Sequence, residues 1–523
     1  MPTRSDRRPG ITRRTFLSAA ALAACPFWRT PSAGAAVRRL VLADDPFQLG
    51  VASGDPTPTG VVLWTRLAPD PLHGGGMPPE PVEVSWEVAD DEGLRNVVRK
   101  GTATASPDLA HSVHVEVEGL EPDRWYWYRF RTADAESPLG RTRTAPADDA
   151  LPAAVRFAFA SCQHYESGLY TAYEHMAGEP LDLVIHLGDY IYEGAPQRGQ
   201  VRRHVGDGEL HTLEDYRNRH AQYKTDPHLQ GAHAACPWLV TWDDHEFDNN
   251  YAGAISEQRN VDPQEFLVRR AAAYQACYEH MPLRKPARPH GPDMRLYRGV
   301  PFGRLVDFAV LDTRQYRTDQ PCGDGNKPPC AGVFDPAATL LGQEQEQWLF
   351  ERLQASPARW NVLAQQVMMA RVDRLPGPLV AWSMDQWGGY DVARKRLLEF
   401  VRDRRVSNPV VLTGDIHTNW VNDLKVDFDA PESPTVATEF VGTSISSGGN
   451  GSQTRADTSG VLADNPFVKF YNAERGYVSC QITPERWTSQ YQVVEDVRTA
   501  GAPRVTRASF VVEHGRPGAE RHS

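Results

Sequence analysis

The chain has 523 residues, of which 41% are hydrophobic and 24% are charged, so it is long enough for two or three domains with at least one large core. Its net charge of −11 argues against a surface that binds the phosphate backbone of nucleic acids. The composition thus excludes a low-complexity polymer and a basic nucleic-acid platform, and it is typical of an ordinary globular protein.

Residues 1–36 are predicted to be an export signal. Arg13 and Arg14 precede a short apolar stretch and then small residues, which is the order of a twin-arginine signal peptide. The apolar stretch is too short to cross a membrane, and no other run approaches the required length, so we expect no transmembrane helix in the mature protein. Cys25 follows a lipobox-like sequence, and cleavage before it would leave a lipid anchor. We therefore expect the twin-arginine export machinery as a partner and a periplasmic or extracellular location.

Residues 37–150 are predicted to form an N-terminal β-sandwich of the fibronectin or immunoglobulin type. Residues 61–66, 82–88, 113–117 and 125–130 alternate between apolar and polar side chains, which is the period of half-buried strands. Turn residues separate these segments, and no helical period intervenes, as expected for such a sandwich.

Strands alternate with helices over residues 153–505, which predicts a layered α+β catalytic domain. Asp262 caps one helix, with Pro263 at its first position. Residues 506–523 are predicted to be a final helix or a tail. The apolar strands of the domain are predicted at residues 156–160, 305–312 and 360–364, and its amphipathic helices at 263–281, 343–353 and 391–404.

Three further apolar runs each end at side chains that bind hard cations. The carboxyl ends of buried strands meet at one edge of a sheet in α/β folds, so these side chains are expected to lie together. Three such clusters in one chain predict a hydrolytic site with several metal ions. The runs and the polar residues after them are 183–187 with Asp189 and Tyr192, 238–242 with residues 243–250, and 409–413 with Asp415 and His417.

Cys162 follows the strand at 156–160 in the same way and adds a fourth strand end. A thiolate beside the phenolate of Tyr192 is a poor ligand set for Mg²⁺ or Ca²⁺ and a good one for Fe³⁺. We therefore assign Cys162, Asp189 and Tyr192 to an iron ion, with the Asp189 carboxylate able to bridge two cations. Two alternatives stay open, namely a packed aromatic side chain for Tyr192 and a buried free thiol for Cys162.

The acidic run after the strand at 238–242 suits calcium, which accepts about six to eight oxygen ligands. Asp244 is favoured over Asp243 as the carboxylate ligand. Asn250 or Asn249 supplies an amide oxygen. The alternative is a cluster of turn and cap residues without a metal, because Asp and Asn favour such positions.

His245, within the same run, is predicted to donate a proton to the leaving oxygen. Asp415 and His417 point to one side of an extended segment, so both can ligate a metal, and the ion that each binds is left open. Arg270, or its neighbour Arg269, is a candidate to neutralise a substrate phosphate.

Gln366 ends another strand and is a second candidate for substrate contact. Cys322 and Cys330 bracket a polar loop and are predicted to form a disulfide in an exported protein. The remaining cysteines of the predicted mature domains are expected to be inert core residues, namely Cys236, Cys277 and Cys480.

Taken together, these motifs resemble the PhoD-type alkaline phosphatases, a metallophosphoesterase family that also includes phospholipase D-like members. The resemblance implies a calcineurin-like core, iron and calcium as cofactors, and hydrolysis of phosphate monoesters or diesters by in-line attack of a metal-bound hydroxide, with Asp189 and His245 as catalytic residues. It rests on residues 50–56, 63–66, 160–163, 186–192, 241–246, 363–366, 413–417 and 440–446.

Two other functions stay open. The first keeps the fold and gives a phosphodiesterase or phospholipase D that acts on phospholipids or teichoic-acid-like polymers. The second is an exported binding protein whose metal cluster is purely structural. Structural metal sites seldom combine Asp, His, Tyr and Cys from separate strand ends, which favours the enzyme.

Overall fold

The computed structural model describes residues 44–522. The predicted signal peptide, with its arginine pair and Cys25, lies outside the described residues. Within residues 44–522, no helix combines the length and the apolarity that a bilayer crossing needs.

The described residues form 25 strands and seven α-helices. The strands are β1 (Val51–Thr57), β2 (Gly60–Arg66), β3 (Val82–Ala89), β4 (Val97–Ala105), β5 (Ser112–Glu118), β6 (Trp125–Thr132), β7 (Ala135–Glu136), β8 (Gly140–Arg143), β9 (Val155–Ala160), β10 (Leu183–His186), β11 (Trp238–Val240), β12 (Arg298–Phe302), β13 (Val306–Val310), β14 (Asn326–Lys327), β15 (Trp360–Ala364), β16 (Trp382–Ser383), β17 (Pro409–Thr413), β18 (Asn419–Lys425), β19 (Thr435–Val441), β20 (Gly451–Ser452), β21 (Val468–Glu474), β22 (Gly476–Ile482), β23 (Arg486–Val494), β24 (Arg504–Glu513) and β25 (Glu520–Arg521). The helices are α1 (Thr171–Ala177), α2 (Leu213–Lys224), α3 (Pro227–Ala235), α4 (Pro263–His280), α5 (Gly342–Ala355), α6 (Asp391–Asp403) and α7 (Thr458–Asp464).

Two large mixed sheets form the centre of the molecule. The first has ten strands in the order β25-β24-β23-β22-β9-β10-β11-β1-β2-β5, and the second has eight in the order β12-β13-β15-β17-β19-β18-β21-β20. The middle strands run parallel within each sheet, with β9, β10 and β11 in the first and β13, β15, β17 and β19 in the second.

Apolar side chains from both sheets share one core between them. Phe157, Ile185 and Leu239 come from the first sheet, and Val310 and Leu412 come from the second. Further apolar clusters join the outer face of the first sheet to α1 through α4 and that of the second sheet to α5 and α6. Because both faces of each sheet are covered, the parallel strands are continuous apolar runs. The predicted layered α+β core is confirmed.

The N-terminal region is rich in strands, as expected, but it is tied to the core. Strands β3, β4, β6, β7 and β8 form a sheet of their own, whereas β1, β2 and β5 extend the ten-stranded sheet. The link is the parallel pairing of Gly54 with Trp238. A Cβ atom on Gly54 would lie 2.5 Å from Pro282 O and 2.7 Å from Trp238 O, so this close approach requires glycine.

Several local predictions are confirmed. Asp262 caps α4, since its side chain accepts hydrogen bonds from the backbone N–H groups of Gln264 and Glu265. Cys322 and Cys330 form the predicted disulfide. The three cysteines predicted to be core residues are buried.

The prediction of a helix or tail at residues 506–523 is wrong. Strand β24 begins at Arg504 and pairs with β23 along the edge of the ten-stranded sheet. Its alternate side chains Ala508, Phe510 and Val512 face the shared core. The period-two alternation of these apolar residues, which favours a strand, decides the outcome.

Candidate metal centre

The candidate site lies where parallel strands of both sheets end. Strand β9 leads to Cys162, β10 to Asp189, β11 to Asp244 and β17 to Asp415. Cys162, Asp189 and Asp244 are buried, and Asp415 is half-buried. The two sheets thus bring together side chains that are far apart in the sequence, as the strand-end pattern predicts.

The backbone is left-handed at three of these strand ends, those that follow β9, β10 and β17. The φ angles are 59° at Cys162, 55° at Asp189, 67° at Asp415 and 54° at His417. This conformation costs a non-glycine residue about 1–2 kcal/mol, so the surroundings must impose it. One constraint is a hydrogen bond of 3.0 Å from the Cys162 N–H to Gly188 O, which joins the first two strand ends. Such strain is found mostly at functional sites.

Gly188 makes a further close approach possible. Its φ is 108°, and a Cβ atom there would lie 2.3 Å from the backbone nitrogen of Asp243. The glycine therefore allows the turn after β10 to pack directly on the turn after β11. Glu246 completes the join, since its carboxylate accepts the N–H groups of Asp189 at 3.0 Å and Asp243 at 2.8 Å.

The first ligand group combines a thiol, a carboxylate, an imidazole and a phenol. Cys162, Asp189 and His417 each offer a ligand atom, and these atoms lie within 4.8 Å of one another. Tyr192 Oη lies 2.8 Å from Asp189 Oδ2 and 3.3 Å from His417 Nε2. Asp189 Oδ1 is buried without a hydrogen-bond partner, which is costly for a carboxylate unless a cation lies beside it.

The second ligand group consists of carboxylates. Asp243, Asp244 and Asp415 offer oxygens within 4.8 Å of one another. Asp244 Oδ2 accepts the backbone N–H of Asn250 at 2.7 Å, so Asn250 adjoins this group. The side chain of Asn249 instead donates to an exposed glutamate at 2.6 Å.

A buried arginine that we did not predict lies among the carboxylates. Arg314, which follows β13, is fully buried. Its guanidinium nitrogens lie 2.5 Å from Asp243, 2.9 Å from Asp385 and 3.1 Å from Asp415. It follows an apolar strand in the same way as the predicted ligands, and this signal in the sequence could have identified it.

Charge crowding shifts the pKa values of the carboxyl groups. Burial raises the pKa of Asp189 to about 7 and that of Asp415 to about 7, and it raises the pKa of Asp243 well above its usual range. Burial also acts on Asp244, but Arg314 and His245 outweigh it and hold the pKa of that carboxyl well below its usual range. The single guanidinium of Arg314 therefore does not neutralise the negative charge of these carboxylates, whereas bound cations would.

His245 lies at the edge of the cluster. Its Nδ1 is 2.7 Å from Glu193 Oε2, and its ring packs on the ring of Tyr192 with centroids 4.2 Å apart. Burial lowers its pKa, but the carboxylates of Glu193, Asp244 and Asp189 outweigh burial and hold the pKa well above its usual range. These carboxylates therefore favour the protonated form of the imidazole.

The structure binds the Arg270 side chain into the loops around α4, outside both ligand groups. Its guanidinium is buried and donates to Pro292 O at 2.9 Å, Gly253 O at 2.7 Å and Asp293 Oδ1 at 3.1 Å. These bonds tie α4 to neighbouring loops and use all three guanidinium nitrogens. Its alternative, Arg269, forms ion pairs with two other carboxylates.

The side chain of Gln366, the other predicted substrate contact, is also bound within the protein. Its side chain is fully buried. Its Oε1 accepts from Thr313 N at 3.0 Å and Thr313 Oγ1 at 2.7 Å, while its Nε2 donates to Thr241 Oγ1 and Leu311 O at 2.9 Å each. Because Thr241 follows β11 and Thr313 follows β13, Gln366 joins the two sheets beneath the candidate site.

Comparisons with known proteins identify the family of this chain. A family model described as PhoD-like phosphatase matches residues 157–491, and one described as PhoD-like phosphatase, N-terminal domain, matches residues 33–146. Alkaline phosphatase D of Bacillus subtilis (strain 168) is 55% identical over 483 residues, covering 91% of this chain and 82% of that protein.

A solved structure described as the structure of PhoD is 55% identical, with a TM-score of 0.91, and the match covers 92% of this chain and 93% of that one. Purple acid phosphatase 23 of Arabidopsis thaliana is 29% identical over 174 residues, which are 30% of this chain and 37% of that protein.

Proposed function

This chain belongs to the PhoD-like phosphatase family and is a phosphoric ester hydrolase, and from that premise we propose that it is an exported, metal-dependent alkaline phosphatase of iron–calcium type. Its substrates would be phosphate monoesters and also diesters. The observation that carries the proposal is the meeting of Cys162, Asp189, Tyr192 and His417 around a buried carboxylate oxygen that has no partner.

The first ligand group fits Fe³⁺. Burial, together with the charge of Asp189, raises the pKa values of the Cys162 thiol and the Tyr192 phenol well above their usual ranges. Only a strongly Lewis-acidic ion would deprotonate both groups at moderate pH. We assign Cys162, Asp189, Tyr192 and His417 to iron.

The second ligand group fits Ca²⁺, because its donors are oxygens. We assign Asp244, Asn250 and Asp415 to calcium, together with Asp189, which also offers an oxygen within 4.8 Å of one of Asp244 and is thus shared between the two groups. When bound, the ions would supply Lewis acidity that polarises a phosphate ester and acidifies water.

The side chains of this chain would perform three tasks around the scissile phosphate. Arg314 holds Asp243 and Asp415 in place through ion pairs of 2.5 and 3.1 Å, so it is a positioning residue. His245 is the proposed proton donor to the leaving oxygen, and Glu193 orients its ring from the Nδ1 side. Burial of the surrounding carboxylates keeps competing water away from them.

Metal analysis of the purified protein tests the assignment of ions. We expect iron together with calcium in protein prepared without added metals. Zinc as the sole metal would contradict the argument from the thiol and the phenol. The measurement is elemental analysis by mass spectrometry, normalised to protein concentration.

Turnover of p-nitrophenyl phosphate and of bis-p-nitrophenyl phosphate tests the substrate class. We expect both esters to be hydrolysed. Turnover of the diester alone would contradict the proposal that the protein is a phosphomonoesterase.

A phosphodiesterase for larger substrates is the second candidate, and one surface feature favours it. Leu375, Leu379 and Val380 are exposed apolar residues close in sequence to Arg374, which donates to Gln386 near Asp415. An apolar border beside the site suits a diester with a lipid or polymer substituent. A preference for phospholipid or polymer diesters, weakened by Leu379→Ser, would support this candidate.

A further inference from the structure

A separate group of metal-type ligands lies beside the candidate centre, formed by His164, Glu166 and His204. Their ligand atoms lie within 4.8 Å of one another. Glu166 Oε2 is 3.5 Å from His204 Nδ1 and 4.0 Å from His164 Nε2. Two ligands bound to one zinc-type ion at tetrahedral angles are about 3.4 Å apart. The Glu166–His204 pair already has this spacing, and the His164 ring would have to move toward the pair to share the ion.

One of these atoms has no other role. The His204 side chain is only 1% exposed, and its Nδ1 atom is buried without a hydrogen-bond partner. Leaving such a nitrogen unpaired costs about 1–3 kcal/mol. It lies 3.5 Å from Glu166 Oε2 without a hydrogen bond to it, and a cation between them would give this nitrogen a partner.

The opposite nitrogens of the two rings are held by hydroxyl groups. His164 Nδ1 is 2.6 Å from Ser167 Oγ, and His204 Nε2 is 3.0 Å from Tyr223 Oη. Metal-bound histidines are usually fixed in this way by a partner on the other nitrogen. The pattern leaves His164 Nε2 and His204 Nδ1 as the atoms that face Glu166.

The composition of the group suits coordination. His164 and His204 are both buried, and each has a ring nitrogen near Glu166 Oε2. Two guanidinium groups lie nearby, of which Arg202 pairs with Asp226 at 2.6 Å and Arg219 donates to the backbone oxygens of Tyr192 and Gly194. Two imidazoles and one carboxylate form a ligand set that zinc-type ions favour, with a fourth position for water.

We propose that His164, Glu166 and His204 form an additional site for one divalent transition-metal ion of the zinc class, distinct from the iron and calcium positions. The site would tie the segment at 197–204 to the end of β9, since Glu166 also accepts backbone N–H groups from Gln197 and His204.

The site would also restrain the neighbouring centre. The ring of His164 packs edge-on against that of Tyr192, with centroids 4.7 Å apart. The backbone N–H of His164 donates to Ser447 Oγ at 2.9 Å, and the same oxygen is 2.6 Å from Tyr192 Oη. An ion bound to His164 would therefore limit the movement of a proposed iron ligand.

Metal titration of the full chain tests the proposal. Protein stripped with a chelator and reloaded with Fe³⁺ and Ca²⁺ is titrated with Co²⁺, whose absorption spectrum reports nitrogen and oxygen ligands, and Zn²⁺ is then added in competition. We expect the wild-type chain to bind one further equivalent. The double variant His164→Gln, His204→Gln should bind that equivalent more than about tenfold more weakly.

The matched control is His175→Gln, because the His175 ring contacts only a backbone carbonyl, Ala502 O, at 2.8 Å. It should retain the extra equivalent. If the double variant does not fold, the single variant His164→Gln is the second test, because the His164 side chain is the most exposed of the three ligands. Zn²⁺ should raise the melting temperature of the wild type and the control but not that of a ligand variant. Equal metal uptake by the wild type and a folded ligand variant, or no uptake by the wild type, would overturn the proposal.

Discussion

Charged side chains have different surroundings in two regions of the molecule, the candidate metal centre and the sheet of β3, β4, β6, β7 and β8. On that sheet, Arg129 and Arg131 pair with Glu87 and Glu136 at 2.6–3.0 Å, close to solvent. At the centre, by contrast, Asp189 has a buried carboxylate oxygen without any partner.

The two regions differ in what their charges cost. Pairs near the surface contribute about 0–1 kcal/mol each, whereas buried carboxylates without a counter-ion cost several kcal/mol and are retained where they bind something. The difference indicates that the sheet uses charge for solubility and register, and that the centre is built around cations.

Removal of metal ions should have the largest effect. A chelator is expected to abolish phosphatase activity while the circular dichroism spectrum remains that of the folded protein. Iron together with calcium should restore turnover. Unfolding at the same chelator concentration that removes activity would instead support a purely structural metal cluster.

The metal-free protein should also respond to pH. The pKa values of Asp189 and Asp415 are raised from 3.8 to about 7, so between these values the folded state binds more protons than the unfolded state. The free energy of unfolding should therefore fall as pH rises from about 4 to about 7. Urea titrations across this range measure the slope, which added cations should reduce.

The substitution Asp189→Asn should lower activity nearly as much as removal of the metal ions. The amide keeps the shape of the side chain but removes the charge that both ligand groups share, so we expect kcat/KM to fall by about 1,000-fold or more. Asp307→Asn is the control, since Asp307 is a buried carboxylate paired with Arg352 away from the centre. Activity within about tenfold of wild type in Asp189→Asn would remove its bridging role.

His245→Gln should have an intermediate effect that depends on the leaving group. A lost proton donor costs about 100-fold or more when the leaving oxygen is basic, as in an alkyl phosphate. The same variant should lose much less activity toward p-nitrophenyl phosphate, whose leaving group needs no proton. Equal losses for both substrates would indicate that His245 holds the site together and is not a proton donor.

Arg129→Ala should have the smallest effect and completes the contrast between the two regions. It removes pairs with Glu87 and Glu136 near the surface, so the free energy of unfolding should fall by about 1 kcal/mol or less, with kcat/KM unchanged. Chemical denaturation and steady-state kinetics measure the two quantities. A large loss of activity would show that this sheet takes part in the function.

Much of the site was predictable because its residues obey a local rule. Asp189, Asp244 and Asp415 each follow a buried strand, and parallel strands end at a common edge. The cap of α4 at Asp262 is local in the same sense, since its bonds reach only two or three residues along the chain.

What the sequence did not predict depends on contacts beyond the local segment. Arg314 draws carboxylates from both sheets together, and no local pattern pairs it with them. Arg270 could be recognised as a buried cation only from the loops around it. At the C-terminus, the alternation at Ala508, Phe510 and Val512 spans a few residues, and its meaning depends on the edge of β23 beside it.

Gln366 connects the stability of the fold to the candidate metal centre. Its amide fastens the end of β11 to the end of β13, directly beneath ligands that the two sheets contribute separately. The sheets therefore cannot slide past each other without pulling those ligands apart. Any ion bound by ligands from both sheets would hold the same two sheets together, and its binding free energy would add to the stability of the folded protein.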